Sequence, residues 1–312
     1  MAVIAVAGGT GKLGRAIVEA LKSTTSHNIK ILARKPNDEL SSEIGIPVIP
    51  ADYSNVESLR NLLDDHQIDT VISTVTLSDD DTSQSQLNLI DAAGQSSTTK
   101  RFIPSEFGIP YTEEHAALFP VVKGKLAALQ RLQSSGLEYT LVTNGFFMDY
   151  YGLPKVKSYL QPFVFAVDMA NNMAAIPGLG NTPVVFTHTF DVAKFVAALT
   201  NLTDWPKRST IIGDKKTWNE VVCIAEVAKG IKFNVTHDSL EKLSSFQVTE
   251  LPSHLSMYPF LPKETLQYIL AIFGRWTANG DFNLDESDIL NKRFPEIKAR
   301  TIREVMEPGW RA

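Results

Sequence analysis

Short apolar runs and helical patterns alternate through the first half of the chain. The runs of strand type are VIAVA at 3–7, IKILA at 29–33, PVIPA at 47–51, DTVISTV at 69–75, KRFIPS at 100–105 and EYTLVTN at 138–144. The amphipathic segments between them predict helices over 12–21, 56–63, 84–93 and 121–132. Strands that alternate with helices predict an α/β fold with a doubly wound parallel sheet and helices on both faces.

The rhythm changes after Asn144. Prolines at 154, 162, 177 and 183 interrupt the chain, and later amphipathic segments predict helices over 191–199, 218–228 and 263–272. The connections between these helices are less regular than those of the first half. We therefore expect a sheet domain at 1–150 and a smaller, irregular α/β substrate region at 151–312 packed on it.

Composition favours a globular protein and argues against nucleic acid as a partner. Of the 312 residues, 44% are hydrophobic and 21% are charged, and the formal net charge is -5. A chain of this kind buries a substantial core. Binding to a polyanion normally needs a concentrated basic face, and no run of Lys and Arg supplies one. We expect no nucleic-acid partner.

Cysteine usage and hydropathy predict a cytoplasmic protein. The single cysteine, Cys223, cannot form an intrachain disulfide, which is typical of a reducing compartment. No apolar stretch has the length of a membrane span, and the N-terminus opens on a strand-like run instead of a signal-peptide pattern. No group of His and carboxylate residues has metal-ligand spacing. We expect no membrane contact and no metal.

The stretch VAGGTGKLG at 6–14 carries the first candidate chemistry. Gly8, Gly11 and Gly14 follow an apolar run and open an amphipathic helix. Glycine there lets a pyrophosphate approach the backbone amides at the positive end of the helix. The alternative is a tight strand-to-helix turn without a ligand. Because strand, helix and position all fit, we interpret the turn as a Rossmann-type dinucleotide site.

The end of the second strand indicates which dinucleotide binds. NAD enzymes usually place Asp or Glu about 20 residues after the glycines, whereas Arg there accommodates a 2'-phosphate. This chain has Arg34 and Lys35 at that point. A guanidinium beside a second cation suits a phosphate through charge-assisted hydrogen bonds. Two solvated surface cations are the alternative. We predict NADPH as the cofactor.

A lysine on the segment VVKGKLAALQRL at 121–132 is the candidate for proton transfer. At about 100° per residue, Lys123 falls on the polar side of the helix, whereas Lys125 falls with Val122, Leu129 and Leu132 on the inner side. An inward amine either extends its head to the rim or sits in a cleft with a lowered pKa. The second arrangement is how lysine becomes an acid or base near neutral pH.

Two competing constellations fit less well. Tyr151 and Lys155 have the Tyr-x-x-x-Lys spacing of many short-chain dehydrogenases, but a glycine and a proline between them disfavour the helix that this pair needs. His188 precedes a helix that Thr189 or Asp191 is expected to cap. A lone histidine at such a junction is most often structural. The aromatic-rich stretch at 144–154 offers apolar material for a pocket, with core packing as the alternative.

Four segments together carry a resemblance to a known family. They are GGTGKLG at 8–14, ISTV at 72–75, KRFIPSEFG at 100–108 and YTLVTNGFF at 139–147. The chain resembles the isoflavone reductase-like and NmrA-like branch of atypical short-chain dehydrogenases, which includes phenylcoumaran benzylic ether, pinoresinol-lariciresinol and isoflavone reductases and eugenol synthases. KRFIPSEFG is the most specific of these motifs. The resemblance covers the sheet domain fully and the C-terminal region loosely.

The resemblance implies roles for individual residues. In that family the glycine turn binds NADPH, an arginine takes the 2'-phosphate and one lysine is the catalytic acid or base. Counted back from Tyr139 and Thr140, that lysine falls on Lys125. Further positions that match cofactor-contacting positions of the family are Thr10, Lys12, Leu13, Thr74, Val75, Gln86, Ser105, Phe107, Asn144 and Phe146.

The chain also departs from the plant members of the family. Lys12 stands where they usually carry an aromatic residue, the loop at Arg34 and Lys35 is shorter, and Glu138 replaces a proline. The segments PVVFTHTFDVAKFVAAL and TIIGDKKTWNEVV are more similar to fungal NmrA-like reductases. These departures bear on the phosphate contacts and on specificity.

The resemblance implies an NADPH-dependent reductase acting on a small apolar substrate, aromatic, phenolic or polyketide-like, with Lys125 as general acid/base. The carbon reduced would belong to a ketone, an enone or a quinone-methide-like group. The alternative is a redox-sensing regulator of the NmrA type, which binds dinucleotide and does not turn over. Either protein is compatible with a monomer or a homodimer.

Overall fold

The computed structural model describes residues 1–311. The strands are β1 (Val3–Ala7), β2 (Asn28–Ala33), β3 (Val48–Pro50), β4 (Thr70–Ser73), β5 (Arg101–Ile103), β6 (Glu138–Tyr139), β7 (Leu141–Thr143), β8 (Phe146–Phe147), β9 (Val167–Asp168), β10 (Met173–Pro177), β11 (Pro183–Thr187), β12 (Arg208–Thr210), β13 (Asp214–Thr217) and β14 (Asn234–Asp238). The helices are α1 (Lys12–Thr24), α2 (Asp38–Ile44), α3 (Val56–Asp65), α4 (Asp80–Gln95), α5 (Glu113–Leu118), α6 (Val121–Ser134), α7 (Thr189–Leu199), α8 (Trp218–Lys229), α9 (Leu240–Ser244), α10 (Lys263–Asn279), α11 (Leu290–Arg293) and α12 (Ile302–Trp310). Short 3-10 helices cover Met148–Tyr151 and Pro252–Met257.

The chain forms two compact units that are not contiguous in sequence. The first comprises Met1–Thr143, Val192–Ser209 and Lys292–Ile297. The second comprises Asn144–Asp191, Thr210–Asn291 and the residues from Lys298 onward. The chain first passes from one unit to the other between Thr143 and Asn144, shortly before the expected domain boundary at residue 150. A single boundary at that residue does not account for the two later segments of the first unit.

The first unit is built on a six-stranded sheet in the order β3-β2-β1-β4-β5-β6, and all of its strand pairs are parallel. Ala5, Ala7 and Val71 belong to one buried cluster with the apolar residues of α3, α4 and α6, since alternate strand residues point to the same face. Helix α1 packs against β1 and β2. The predicted α/β class with a doubly wound parallel sheet is confirmed.

The expectation of one continuous sixth strand at 138–144 is wrong. Strand β6 pairs with β5 and ends at Tyr139, while β7 pairs with β12 in a separate two-stranded sheet. The change occurs at Thr140, whose Oγ1 lies 2.8 Å from Ser209 Oγ. The next amide, that of Leu141, donates to the Lys207 carbonyl at 3.0 Å. The apolar pattern does not reveal this break, because Tyr139 and all three residues of β7 are buried.

The second unit is more regular than its prolines suggest. It holds two three-stranded sheets, β14-β10-β9 and β13-β11-β8, together with α8, α10 and α12. Its core is aromatic: the Phe146 ring lies 6.3 Å or less, centroid to centroid, from the rings of Tyr150, Tyr151, Phe165, Phe186, Trp218 and Phe282. Within residues 1–311, no helix combines the length and the hydropathy that crossing a bilayer requires.

Candidate active site

A cleft of about 300 Å³ opens where β1, β2 and β4 end. Its lining residues are Gly8, Thr10, Gly11, Lys12, Leu32, Ala33, Arg34, Tyr53, Thr74, Val75, Thr76, Thr82 and Ser85. The sheet order reverses between β1 and β4, and ligands of open α/β sheets bind at such a switch point. Seven of the residues expected at a cofactor lie in this lining: Gly8, Thr10, Gly11, Lys12, Arg34, Thr74 and Val75.

Two glycines shape the turn that forms the floor of the cleft. Gly8 has φ +78, in the region that favours glycine, and its amide donates to the Leu32 carbonyl at 3.0 Å. At Gly14 a Cβ atom would lie 2.4 Å from the Gly8 carbonyl oxygen and from Thr74 Oγ1. Gly14 is therefore required for the close approach of α1 to the end of β4.

Gly11 has a different environment. A Cβ atom there would meet nothing within 4 Å, and its φ of -159 is open to any residue. Gly11 is the N-cap of α1, and among residues 1–311 no side chain forms a capping hydrogen bond at this end of the helix. Amides in the first turn of a helix carry partial positive charge and lack intrahelical partners. The space and the donors at Gly11 therefore fit a pyrophosphate.

We predict that Gly11→Ala preserves the fold and weakens dinucleotide binding. The added methyl group has room in the protein but occupies the space over the first-turn amides, so the NADPH dissociation constant should rise about tenfold. The matched control is Gly14→Ala, which should lower the free energy of unfolding by about 1–3 kcal/mol through overpacking. Thermal unfolding and fluorescence titration of both variants test this. A Gly11→Ala protein with unchanged NADPH affinity would refute the assignment.

The cleft is lined by cations without an acidic counterpart. Lys12 and Arg34 are both exposed and both line it. None of the lining residues named above is acidic. Lys12 has φ +51, a strained conformation for a residue with a side chain. A cleft lined by two cations and by no acidic residue among those named favours a ligand with phosphate groups.

Sequence reasoning missed Tyr53 in this lining. Its side chain is buried, its hydroxyl donates to the Leu32 carbonyl at 3.1 Å, and burial raises its pKa. A neutral phenol therefore forms part of the wall beside Arg34. The signal that could have found it is an aromatic residue in ADYS, directly after β3, at the edge where ligands bind.

Lys125 lies on the inner side of α6, in contact with the loop that follows β5. Its Nζ donates to the backbone carbonyl of Glu106 and lies 4.6 Å from the centroid of the Tyr111 ring. Lys125 is half-buried, whereas Lys123 on the same helix is exposed. The ammonium thus contacts a backbone carbonyl and the face of an aromatic ring.

Burial and charge shift the proton affinities of this cluster. Burial lowers the pKa of Lys125, and the Glu106 carboxylate acts in the opposite direction. Burial raises the pKa of Glu106, while Lys125 and Arg208 lower it. A lysine whose pKa is moved toward neutrality is suited to exchange a proton with a substrate.

Gln86 and Ser105 lie outside the cleft lining and connect it with the Lys125 loop. Gln86 is buried, and its Oε1 accepts from Ser73 Oγ at 2.9 Å and from the Ser105 amide at 2.7 Å. Ser105 Oγ donates to the carbonyl of Val75 at 2.9 Å. Val75 lines the cleft, so a chain of hydrogen bonds runs from the cleft wall to the loop beside Lys125.

The other expected cofactor contacts also lie outside the lining of this cleft. Leu13 is buried in α1, and Lys35 is exposed in the loop after β2. Phe107 is half-buried with φ +26. Asn144 is buried at the start of the second unit, where Phe146 forms the aromatic core described above.

Tyr151 and His188, the residues of the two competing constellations, lie among residues that stabilise the fold. Tyr151 is buried in a 3-10 helix, and its hydroxyl donates to the Phe165 carbonyl at 3.0 Å. The buried Asp149 carboxylate accepts from the Thr189 amide at 2.9 Å and lies 3.6 Å from His188 Nε2. Asp149 therefore binds the first turn of α7. The sequence pattern predicts Thr189 or Asp191 as the cap of this helix instead.

Among residues 1–311, no three His, Cys, Asp or Glu residues are grouped so that they could hold a metal ion.

The parallel sheet with a glycine turn at its switch point defines a Rossmann-type protein. The profile of the NmrA-like family matches residues 1–304. Oxidoreductase BOA1 of Botryotinia fuckeliana (strain B05.10) is 38% identical over 300 residues, which cover 95% of this chain and 96% of BOA1. The chain belongs to the NmrA-like family and, with its relatives, to the oxidoreductases.

Solved structures agree on the fold. A structure from the work on pinoresinol-lariciresinol and phenylcoumaran benzylic ether reductases has a TM-score of 0.76 and 22% identity, covering 99% of both chains. The structure described as AtPrR2 with NADP+ and (+)pinoresinol has a TM-score of 0.74 and 22% identity, covering 98% of both chains. The Rossmann-type fold expected from the resemblance is thereby confirmed.

Proposed function

We propose that the protein is an NADPH-dependent reductase that acts on a small apolar, aromatic substrate and uses Lys125 as general acid/base. The observation that supports NADPH as the cofactor is the cationic cleft over the uncapped start of α1. Arg34 and Lys12 supply charge, and Gly11 leaves room for the pyrophosphate. AtPrR2, a protein of the same fold, is described with NADP+ and the aromatic (+)pinoresinol, which supports this cofactor and substrate class.

The residues divide the work between binding and proton transfer. Arg34 would hold the 2'-phosphate by charge-assisted hydrogen bonds, and the amides at Gly11 would hold the pyrophosphate. Bound NADPH supplies a hydride to the electrophilic carbon of the substrate. Lys125 would donate a proton to the substrate oxygen that gains negative charge, and water would then reprotonate the amine. The balance is one hydride and one proton per substrate molecule.

The surroundings of Lys125 suit this role. An ammonium group has three hydrogens, and the Glu106 carbonyl accepts one of them. A hydrogen that stays available can be given to the substrate without breaking the bond that fixes the side chain. The Tyr111 ring lies against the ammonium on one side, and burial of the amine lowers its pKa and so favours release of the proton.

Consumption of NADPH by the purified protein tests the proposal. Aromatic ketones, enones and phenolic ethers are supplied in turn, and absorbance at the nicotinamide band is followed. Oxidation of NADPH that depends on one of these acceptors is expected. NADPH binding without turnover across all three acceptor classes would favour a dinucleotide-sensing regulator instead.

We predict that Glu106→Gln shifts the pH dependence of turnover. The Glu106 carboxylate raises the pKa of Lys125 against the lowering effect of burial, so its removal should lower that pKa further. A general acid is active only when protonated, and the fall of kcat on the alkaline side should therefore occur at lower pH than in wild type. Glu114→Gln, at an exposed position on α5, is the control. An unchanged alkaline limb in Glu106→Gln would contradict the assignment.

We also propose that the protein works in a reducing compartment. Cys223 is the single cysteine of the chain and is free and exposed. An exposed thiol without a partner is typical of proteins kept under reducing conditions.

A further inference from the structure

Gln86 is a buried polar residue that the proposed reaction does not use. It lies on α4 with 1% of its surface exposed. Its Oε1 atom accepts two hydrogen bonds, from the Ser73 hydroxyl on β4 and from the Ser105 backbone amide after β5. One side-chain oxygen thus joins a helix, a strand end and a loop in the first unit.

The loop joined by Gln86 is the one that touches Lys125. We name residues 105–107 the strap. At its first residue the Ser105 hydroxyl donates to the Val75 carbonyl on the cleft wall. At its second residue the Glu106 carbonyl accepts from Lys125 Nζ. The strap therefore spans the distance from the cleft wall to the candidate acid/base.

The backbone of the strap is strained at its third residue. Phe107 has φ +26, a value that residues with a side chain rarely adopt. Strained conformations persist when surrounding contacts determine them, and they occur most often at functional sites. Ser105 supplies such contacts through both its amide and its hydroxyl, and Gln86 is the acceptor for the amide.

We infer that Gln86 is a positioning residue that fixes the strap and, through the Glu106 carbonyl, the position of Lys125. The inference rests on the proposed function and assigns Gln86 a role that differs from direct contact with the cofactor. A residue that acts through the strap changes proton transfer and leaves dinucleotide binding in place. A residue that touches the dinucleotide changes binding first.

Kinetics of Gln86→Leu separate these two roles. The variant removes the acceptor of the Ser105 amide, and kcat should fall about tenfold or more while the NADPH dissociation constant stays within about twofold. Gln84→Leu, the same change at an exposed position on the same helix, is the control and should match wild type. If Gln86→Leu does not fold, Gln86→Asn withdraws the same oxygen by one carbon and tests the same bond.

The proton affinity of Lys125 provides a readout that needs no turnover. Lys125 and Lys123 are modified with limiting acetic anhydride over a range of pH, and mass spectrometry follows each acetylated peptide. Loss of the Glu106 carbonyl as acceptor disfavours the ammonium form, so the midpoint for Lys125 should move to lower pH in Gln86→Leu. The midpoint for Lys123 should not move.

The outcomes distinguish the inference from the function on which it rests. An unchanged Lys125 midpoint in both Gln86 variants overturns the inference, as does an NADPH affinity that falls in step with kcat. A wild-type protein that consumes no NADPH with any acceptor contradicts the proposed function, and the Lys125 midpoint still decides whether Gln86 fixes the strap.

Discussion

Replacement of Lys125 by methionine is expected to lower kcat by about 10²–10⁴-fold, the usual contribution of a general acid. Methionine matches the length of the lysine stem and fills the space beside Tyr111 without a transferable proton. The NADPH dissociation constant should stay within about twofold of wild type, because Lys125 is absent from the lining of the cleft. Stopped-flow turnover and fluorescence titration measure the two quantities.

The same variant should not be less stable than wild type. Burial lowers the pKa of Lys125, so the unfolded chain binds its proton more tightly than the folded chain does. At pH values below the unfolded pKa of about 10.4 the buried amine therefore opposes folding. Lys123→Met, on the exposed side of α6, is the matched control and should keep full activity. Equal turnover in Lys125→Met and wild type would remove this residue from the mechanism.

Replacement of Arg34 by alanine should abolish the preference for NADPH over NADH. Hydrogen bonds to charged groups contribute about 1.5–3 kcal/mol, so the NADPH dissociation constant should rise about 10–150-fold while that of NADH is nearly constant. Arg34 lines the cleft, whereas Lys35 does not. Lys35→Ala should accordingly have the smaller effect. If both nucleotides weakened equally in Arg34→Ala, the residue would not be reading the 2'-phosphate.

The parallel sheet and its glycine turn could be predicted from local sequence alone. An apolar run, three spaced glycines and an amphipathic segment each specify their own element, and β1 and α1 form where these signals lie. The inward face of Lys125 followed from helical periodicity for the same reason. Local sequence patterns can predict a strand, a turn, a helix or the inward face of a helix, because each of these depends on residues close together in the sequence.

The surroundings of these residues could not be predicted in this way. Gln86 and Ser105 lie far apart in sequence, and only the sheet brings the amide of one to the side chain of the other. The break at Thr140 likewise depends on Ser209, a residue of a later segment. Asp149 binds the start of α7 from outside the local sequence that the capping rule considers.

Calorimetric titration of the wild-type protein with NADPH and with NADH tests the central claim most directly. Arg34 and Lys12 beside the open amides at Gly11 predict that NADPH binds at least about tenfold more tightly than NADH, a difference of about 1.4 kcal/mol. The preference should shrink as salt is raised, because exposed charges are screened. Equal affinity for the two nucleotides, or binding of neither, would contradict the account.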